Sequence, residues 1–164
     1  MTIKPGDKIP SVILKHLTAD GMQDLSTDAL FASKKIVMFA VPGAFTPTCS
    51  AKHLPGYVHL LPEFKAQGIE VACLSVNDPF VMQAWAAGAN ADGIRMLPDG
   101  NATFTKALGL EMDGAAYGMG LRCQRFALYA EDGIVKFLAV EKPGAFEVSS
   151  AESMLKAIAT AKAA

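Results

Sequence analysis

The chain has 164 residues, the length of one domain spanning 1–164, and 51% of them are hydrophobic against 19% charged; this balance excludes a disordered chain. The formal net charge is −1 and no basic stripe or arginine-rich run appears, so a nucleic-acid partner is not expected. The longest uncharged run, 36–51, is broken by Pro42, Gly43 and Pro47 and is too short to cross a membrane, and the opening "MTIKPGDKIPSVIL" lacks the apolar core of a secretory signal.

The first strong element is "KIVMFAV" (35–41), an apolar run that reads as a strand buried on both faces. A helical pattern follows over 47–67, with Leu54, Tyr57, Leu60, Leu61 and Phe64 on one face and kinks expected at Pro55 and Pro62. "IEVACLSV" (69–76) is a second buried strand. Asp78 as N-cap and Pro79 in the first helical position open a helix over 78–90. A weaker strand is expected over 93–99, closed by Pro98, then a short helix over 101–108 that ends at Gly109.

Of five Asp-Gly pairs, Asp132-Gly133 is the best hairpin turn, because "RFALYA" and "IVKFLAV" on either side are rich in strand-forming residues. A last helix near 150–162 follows "SSAE", a capping-box pattern from Ser149 to Glu152. The order of strands and helices predicts an α/β, thioredoxin-like fold, a central mixed sheet with helices on both faces. The tetrapeptide "PGAF" occurs at 42–45 and again at 143–146; the second copy has no cysteine after it and is set aside as a chance echo.

The three cysteines, Cys49, Cys73 and Cys123, are far apart and form no CxxC. Reduced thiols in the cytoplasm are expected rather than a disulfide framework. Cys49 stands out by position. In an open α/β sheet the functional crevice lies beyond the carboxyl ends of the parallel strands, and "VPGAFTPTCSAKH" leaves such an end. With Thr46 as N-cap and Pro47 first in the helix, Cys49 falls in the first turn, where unpaired N–H groups and the helix dipole favour an anion. A thiol at its ordinary pKa is only about 3% thiolate at pH 7, and helix N-termini and cations are what raise that fraction. Thr46 would aim its hydroxyl at the sulfur or at an oxygen attacking it, and Pro42 would fix the loop and shield it from water.

"VPGAFTPTCSAKHLPGY" resembles the active-site segment of the peroxiredoxins, in particular the type II, peroxiredoxin-five-like subfamily. The family motif P-x-x-x-T/S-x-x-C falls on Pro42, Thr46 and Cys49, and the likeness runs from "KPGDKIPSV" through "VACLSVNDPFVMQAW" to "RFALYAEDGIVKFLAVE". The resemblance implies a thioredoxin-like fold and a thiol peroxidase that reduces hydrogen peroxide and alkyl hydroperoxides. Cys49 would be oxidised to a sulfenic acid. Thr46 would hold the peroxide oxygen in line, and Arg125, at the position of the family's distant arginine, would stabilise the thiolate and the developing charge. Strand alternation puts Cys123 on the face of Arg125 and Arg122 on the other; Arg122 and Arg95 read as solvated strand ends.

Some relatives carry a resolving cysteine just before the last helix, where this chain has Ser149 and Ser150. The expectation is therefore a one-cysteine cycle, regenerated by glutathione with or without glutaredoxin, with thioredoxin as the second choice. Cys73 and Cys123 are expected to serve packing. His53 is expected at the site entrance or in solvent. No metal or other cofactor is expected, since Cys49 and His53 have no further ligands nearby. Family members pair as dimers near the active-site loop, and Phe45, the 112–120 segment and the 78–85 helix are candidate contacts. The competing reading is a thioredoxin-fold interaction module without chemistry, whose Cys49 would be unreactive to peroxide.

Overall fold

The computed structural model describes residues 1–163. Its centre is a five-stranded mixed sheet built from β3 (Lys35–Val41), β4 (Ile69–Ser75), β5 (Arg95–Pro98), β8 (Phe126–Glu131) and β9 (Ile134–Val140), in the order β5-β4-β3-β8-β9. β3, β4 and β5 run parallel, and β8 and β9 are antiparallel additions on the other side of β3. β3 is central, so both of its faces must be covered. Ile36, Met38 and Ala40 pack into one core layer and Val37, Phe39 and Val41 into the other. That two-sided burial is why its sequence is a continuous apolar run rather than an alternating one.

Helices cover both faces, as expected of a thioredoxin-like fold. One layer takes its side chains from α2 (Leu54–Ala66), α3 (Pro79–Gly88) and α5 (Ala151–Ala163), notably Tyr57, Phe64, Trp85 and Met154. The other is filled by α1 (Thr27–Phe31) and α4 (Thr103–Leu108), with Leu14 and Leu25 of an N-terminal hairpin. The Phe39 and Tyr57 rings stack with centroids 4.0 Å apart and planes within 1°. Such a pair adds about 1 kcal/mol beyond its buried area and fastens α2 to the strand that leads into the Cys49 loop.

Local signals act where their geometry is realised. Asp78 accepts from Val81 N at 2.9 Å with Pro79 following it, so α3 starts as its caps dictate. Asp132 and Gly133 have φ of 48° and 77°, the left-handed pair that closes a two-residue hairpin between β8 and β9. The Ser149 capping box does not form. Ser150 receives the amide of Ser153, whereas the Ser149 hydroxyl donates to Glu141 instead. A buried carboxylate outcompetes a helix end for that donor.

Two hairpins were not expected. β1 (Ile13–Thr18) pairs with β2 (Gly21–Ser26), and β6 (Glu111–Asp113) with β7 (Leu121–Cys123). β2 exposes Met22, Gln23 and Asp24 and shows no clean alternation, and β6 and β7 are three residues each; neither pair carries a sequence period long enough to read.

Candidate active site

The chain leaves β3 at Val41 and enters a loop that is fastened from several directions. The Cys123 thiol donates to the Val41 carbonyl at 3.0 Å, and Ala44 N donates to Asn77 Oδ1 at 3.0 Å. Thr46 Oγ1 donates to the Gly43 carbonyl at 2.6 Å, while the Thr46 carbonyl accepts from Ser50 N at 2.9 Å. Thr46 therefore starts the helix through its backbone, and its hydroxyl proton is committed to the loop. The remaining lone pairs of that oxygen can accept a further hydrogen bond.

The helix does not continue as a regular α-helix. Residues Cys49–His53 form a π-helical turn in which the Leu54 amide donates to the Cys49 carbonyl, and α2 follows. The wider turn lies directly upstream of Pro55, whose ring in an α-helix would press on the carbonyl four residues back. It also brings residues four apart closer to one line than an α-turn does, and such turns recur at functional sites. Cys49 and His53 meet the same guanidinium: Arg125 Nη2 donates to Cys49 Sγ at 3.0 Å and Arg125 Nη1 to His53 Nδ1 at 2.7 Å.

His53 is fully buried and not in solvent; it lies beside the Arg125 guanidinium that contacts Cys49. Burial, followed by the neighbouring Arg125 charge, pushes its pKa down to about 3, so the ring is neutral at pH 7. Its tautomer is dictated by its partners. Arginine is only a donor, so Nδ1 must accept; Nε2 keeps the proton and donates to the Ser149 carbonyl at 3.0 Å. Tyr57 OH donates to that same carbonyl at 2.7 Å, and burial raises the phenol well above its ordinary range, keeping it a donor. Phe146 completes the wall, 4.9 Å from the His53 ring and under the Arg125 guanidinium at 5.8 Å. The last residue of the second "PGAF", Phe146, is thus part of the site.

Arg122 is not a solvated strand end. It is half-buried, donates through Nε to the Met119 carbonyl at 2.9 Å and lies against Gly43, where a Cβ would come within 3.0 Å of its Nη1. Cys123 and Arg125 do not share a face. β7 ends at Cys123 and β8, in another sheet, begins at Phe126, so the alternation breaks between them; Cys123 packs with Phe126 on the side of the sheet opposite Cys49. Arg95 is exposed, beside a cavity of about 640 Å³ between α3 and β5 that none of the residues around Cys49 lines.

Comparison with known proteins fits this arrangement. A family model, Redoxin, matches residues 4–155. The chain is 49% identical to the chloroplastic Peroxiredoxin-2E-2 of Oryza sativa subsp. japonica, over 96% of this chain and 73% of that protein. The chain is a peroxiredoxin. Its likeness is to the type II branch, and peroxiredoxins are thiol peroxidases, oxidoreductases that act on peroxide. Among solved structures, reduced Prx3 of Vibrio vulnificus in complex with H2O2 matches this peroxiredoxin with a TM-score of 0.93 at 53% identity, covering 96% of this chain and 99% of the other. An antioxidant protein of Plasmodium falciparum, a 1-Cys peroxiredoxin, matches with a TM-score of 0.89 at 27% identity, covering 96% and 99%.

In this peroxiredoxin the fold sets Arg125 on both Cys49 and His53, and Thr46 is tied to the loop that follows Pro42. Tyr57, Ser149 and Phe146 surround His53, Glu141 holds Ser149, and Asn77 holds the loop at Ala44, none of them named as a site residue from the sequence. The only local hint was His53, four residues after Cys49. Cys73 and Cys123 are fully buried, and burial pushes Cys73 well above the ordinary thiol range and Cys123 up to about 12, with the Asp99 charge adding to the latter.

Proposed function

We propose that Cys49 is the peroxidatic residue of a one-cysteine cycle, regenerated by glutathione with or without glutaredoxin. The observation that carries the reading is the 3.0 Å contact from Arg125 Nη2 to Cys49 Sγ, a fixed cation on a buried sulfur at a helix N-terminus. The thiolate attacks one oxygen of R–O–O–H. The S–O bond forms as the O–O bond breaks, the sulfur is oxidised to a sulfenic acid, and the departing R–O⁻ takes up a proton and leaves as alcohol or water. Thr46 Oγ1 accepts from the peroxide O–H and holds it in line. Arg125 faces the charge that moves from sulfur to leaving oxygen. Pro42 shapes the loop that excludes water.

The sulfenic acid then needs a thiol from another molecule. The segment before α5 offers Ser149 and Ser150 in place of a cysteine, and both remaining cysteines are buried thiols. Glutathione attacks the sulfenic acid, releasing water and leaving a mixed disulfide; a second thiol reduces that disulfide and frees Cys49. The likeness to a 1-Cys peroxiredoxin supports this cycle. The reading sets this cycle in the reduced thiol pool of the cytoplasm.

The same reading includes a homodimer. Phe45, Phe80 and Tyr117 are 60%, 64% and 82% exposed, and each lies in a segment adjoining the 42–46 loop. Phe45 holds a φ of 65°, a strained conformation for an aromatic residue, with its ring in solvent. Sedimentation tests the dimer. Turnover of peroxide with glutathione plus glutaredoxin, with a glutathione adduct on Cys49 in mass spectra, tests the cycle; turnover with thioredoxin and none with glutathione and glutaredoxin contradicts it.

A further inference from the structure

Arg125 is held at both ends by a closed ring of hydrogen bonds. Its Nη1 donates to His53 Nδ1, and His53 Nε2–H donates to the Ser149 carbonyl. Ser149 N donates to Glu141 Oε2 at 2.8 Å, and Glu141 N donates to the Arg125 carbonyl at 2.9 Å. Each link runs from donor to acceptor in the same sense, and the ring returns to the residue it started from.

Glu141 is the unusual member. It is 6% exposed and, among the described residues, pairs with no lysine or arginine. A buried carboxylate without a cation is costly unless hydrogen bonds replace its water. Here one oxygen, Oε2, collects four: the amides of Glu147 at 2.8 Å, Val148 at 2.9 Å and Ser149 at 2.8 Å, and the Ser149 hydroxyl at 2.7 Å. Burial works to raise its pKa, and the Ser149 hydroxyl with these amides outweighs it, leaving the carboxyl below its ordinary value and ionised. Loop amides converging on one charge fix the turn, and with it the direction of the Ser149 carbonyl.

That direction matters because of the imidazole. With the carbonyl in place, His53 must carry its proton on Nε2. Without it the ring is free to carry the proton on Nδ1, which would set an N–H against the Arg125 N–H and displace the guanidinium from the sulfur.

We propose that Glu141 is a positioning residue of the peroxidatic site: through the 147–149 backbone it fixes the tautomer of His53, through its own amide it holds the Arg125 main chain, and so it aims the guanidinium at Cys49. The inference rests on the reading of Cys49 as the reacting thiol. It assigns the loop before the last helix a task in tuning that thiol, separate from the supply of a resolving group.

The test uses the full-length Glu141→Ala and Glu141→Gln variants, with folding checked by circular dichroism. The readouts are the pH profile of Cys49 alkylation, mapped by mass spectrometry, and the imidazole nitrogen-15 signature of His53. Glu141→Ala is expected to move the profile up by about one pH unit, roughly tenfold less thiolate at a fixed lower pH, and to deplete the Nε2–H signature. Glu141→Gln retains an acceptor oxygen and is expected to move both about half as far. If the alanine variant does not fold, the glutamine variant decides alone. A folded variant of either kind with the wild-type profile and the wild-type His53 signature overturns the proposal. Failure of the underlying reading looks different: wild-type Cys49 would then alkylate with the profile of a free cysteine before any change at Glu141.

Discussion

Arg125 binds His53 as closely as it binds Cys49: the guanidinium is 2.7 Å from Nδ1 of a buried neutral imidazole through Nη1, and 3.0 Å from the sulfur through Nη2. The histidine contributes no charge. It spaces and orients a cation that a flexible side chain would otherwise spread over several rotamers, and the fork geometry of arginine makes the double contact feasible.

The first consequence is a pH dependence of stability. His53 titrates near 3 in the fold, against about 6.5 for an unfolded histidine. Between those values the unfolded chain binds a proton that the native state refuses. The stability linked to His53 is therefore fully present above about pH 6.5 and is lost as pH falls toward 3, by up to about 1.4 kcal/mol per pH unit. Glu141, held below its ordinary value, adds a loss that begins only in the carboxylate range. Urea unfolding at pH 7, 6 and 5 is expected to show this slope in the wild type and a flatter one in His53→Gln.

Arg125→Ala is expected to slow the reaction with peroxide by about a hundredfold, the scale of losing one donor to developing charge. Arg125→Lys keeps a charge but has no second nitrogen with which to hold His53, and falls between the two. Trp85 gives the readout. It is the single tryptophan, and its indole N–H donates to Ser50 Oγ at 3.0 Å, next to Cys49. Stopped-flow fluorescence after mixing with peroxide follows the step directly.

Gly43→Ala tests the aim of Thr46. A Cβ at Gly43 would lie 3.0 Å from Arg122 Nη1 and 3.1 Å from Thr46 Cγ2. The arginine end swings aside at small cost, whereas the threonine is tied to the Gly43 carbonyl and must shift with it. The rate with peroxide is expected to drop by about tenfold while the unfolding midpoint changes little, since misplacement of a positioned group costs rate before stability.

Cys73→Ser and Cys123→Ser are expected to keep the first step. Both thiols are buried, and their raised pKa values leave them protonated at neutral pH. A serine at 123 can still donate to the Val41 carbonyl, whereas one at 73 places a hydroxyl in an apolar layer and costs about 1–3 kcal/mol. Single-turnover peroxide consumption should remain one equivalent per chain in both.

The parts of the fold legible in the sequence are those fixed by local chemistry. The apolar runs of β3 and β4, the Asp78-Pro79 start of α3 and the Asp132-Gly133 hairpin needed only neighbouring residues. So did the Pro42, Thr46, Cys49 run. The burial of His53, expected at the site entrance or in solvent, was missed because the segment that buries it comes from about 146–149, nearly a hundred residues later. Phe146 was dismissed with its tetrapeptide for the same reason: nothing in "PGAF" says which ring it faces. Arg125 came from the family resemblance, whereas the placing of Cys123 on its face and Arg122 on the other followed an alternation that holds only within one strand, and the chain changes sheets between Cys123 and Arg125. Glu141 has no signal of its own in the sequence; what sets it apart is the convergence of four donors on one oxygen.

The most direct measurement is to treat the reduced protein with one equivalent of hydrogen peroxide in the presence of dimedone and map the adduct by mass spectrometry. The account predicts a single label on Cys49, formed as the peroxide disappears, with neither label nor rapid peroxide consumption in Cys49→Ser. A label on Cys73 or Cys123 instead, or undiminished peroxide consumption by Cys49→Ser, would contradict it.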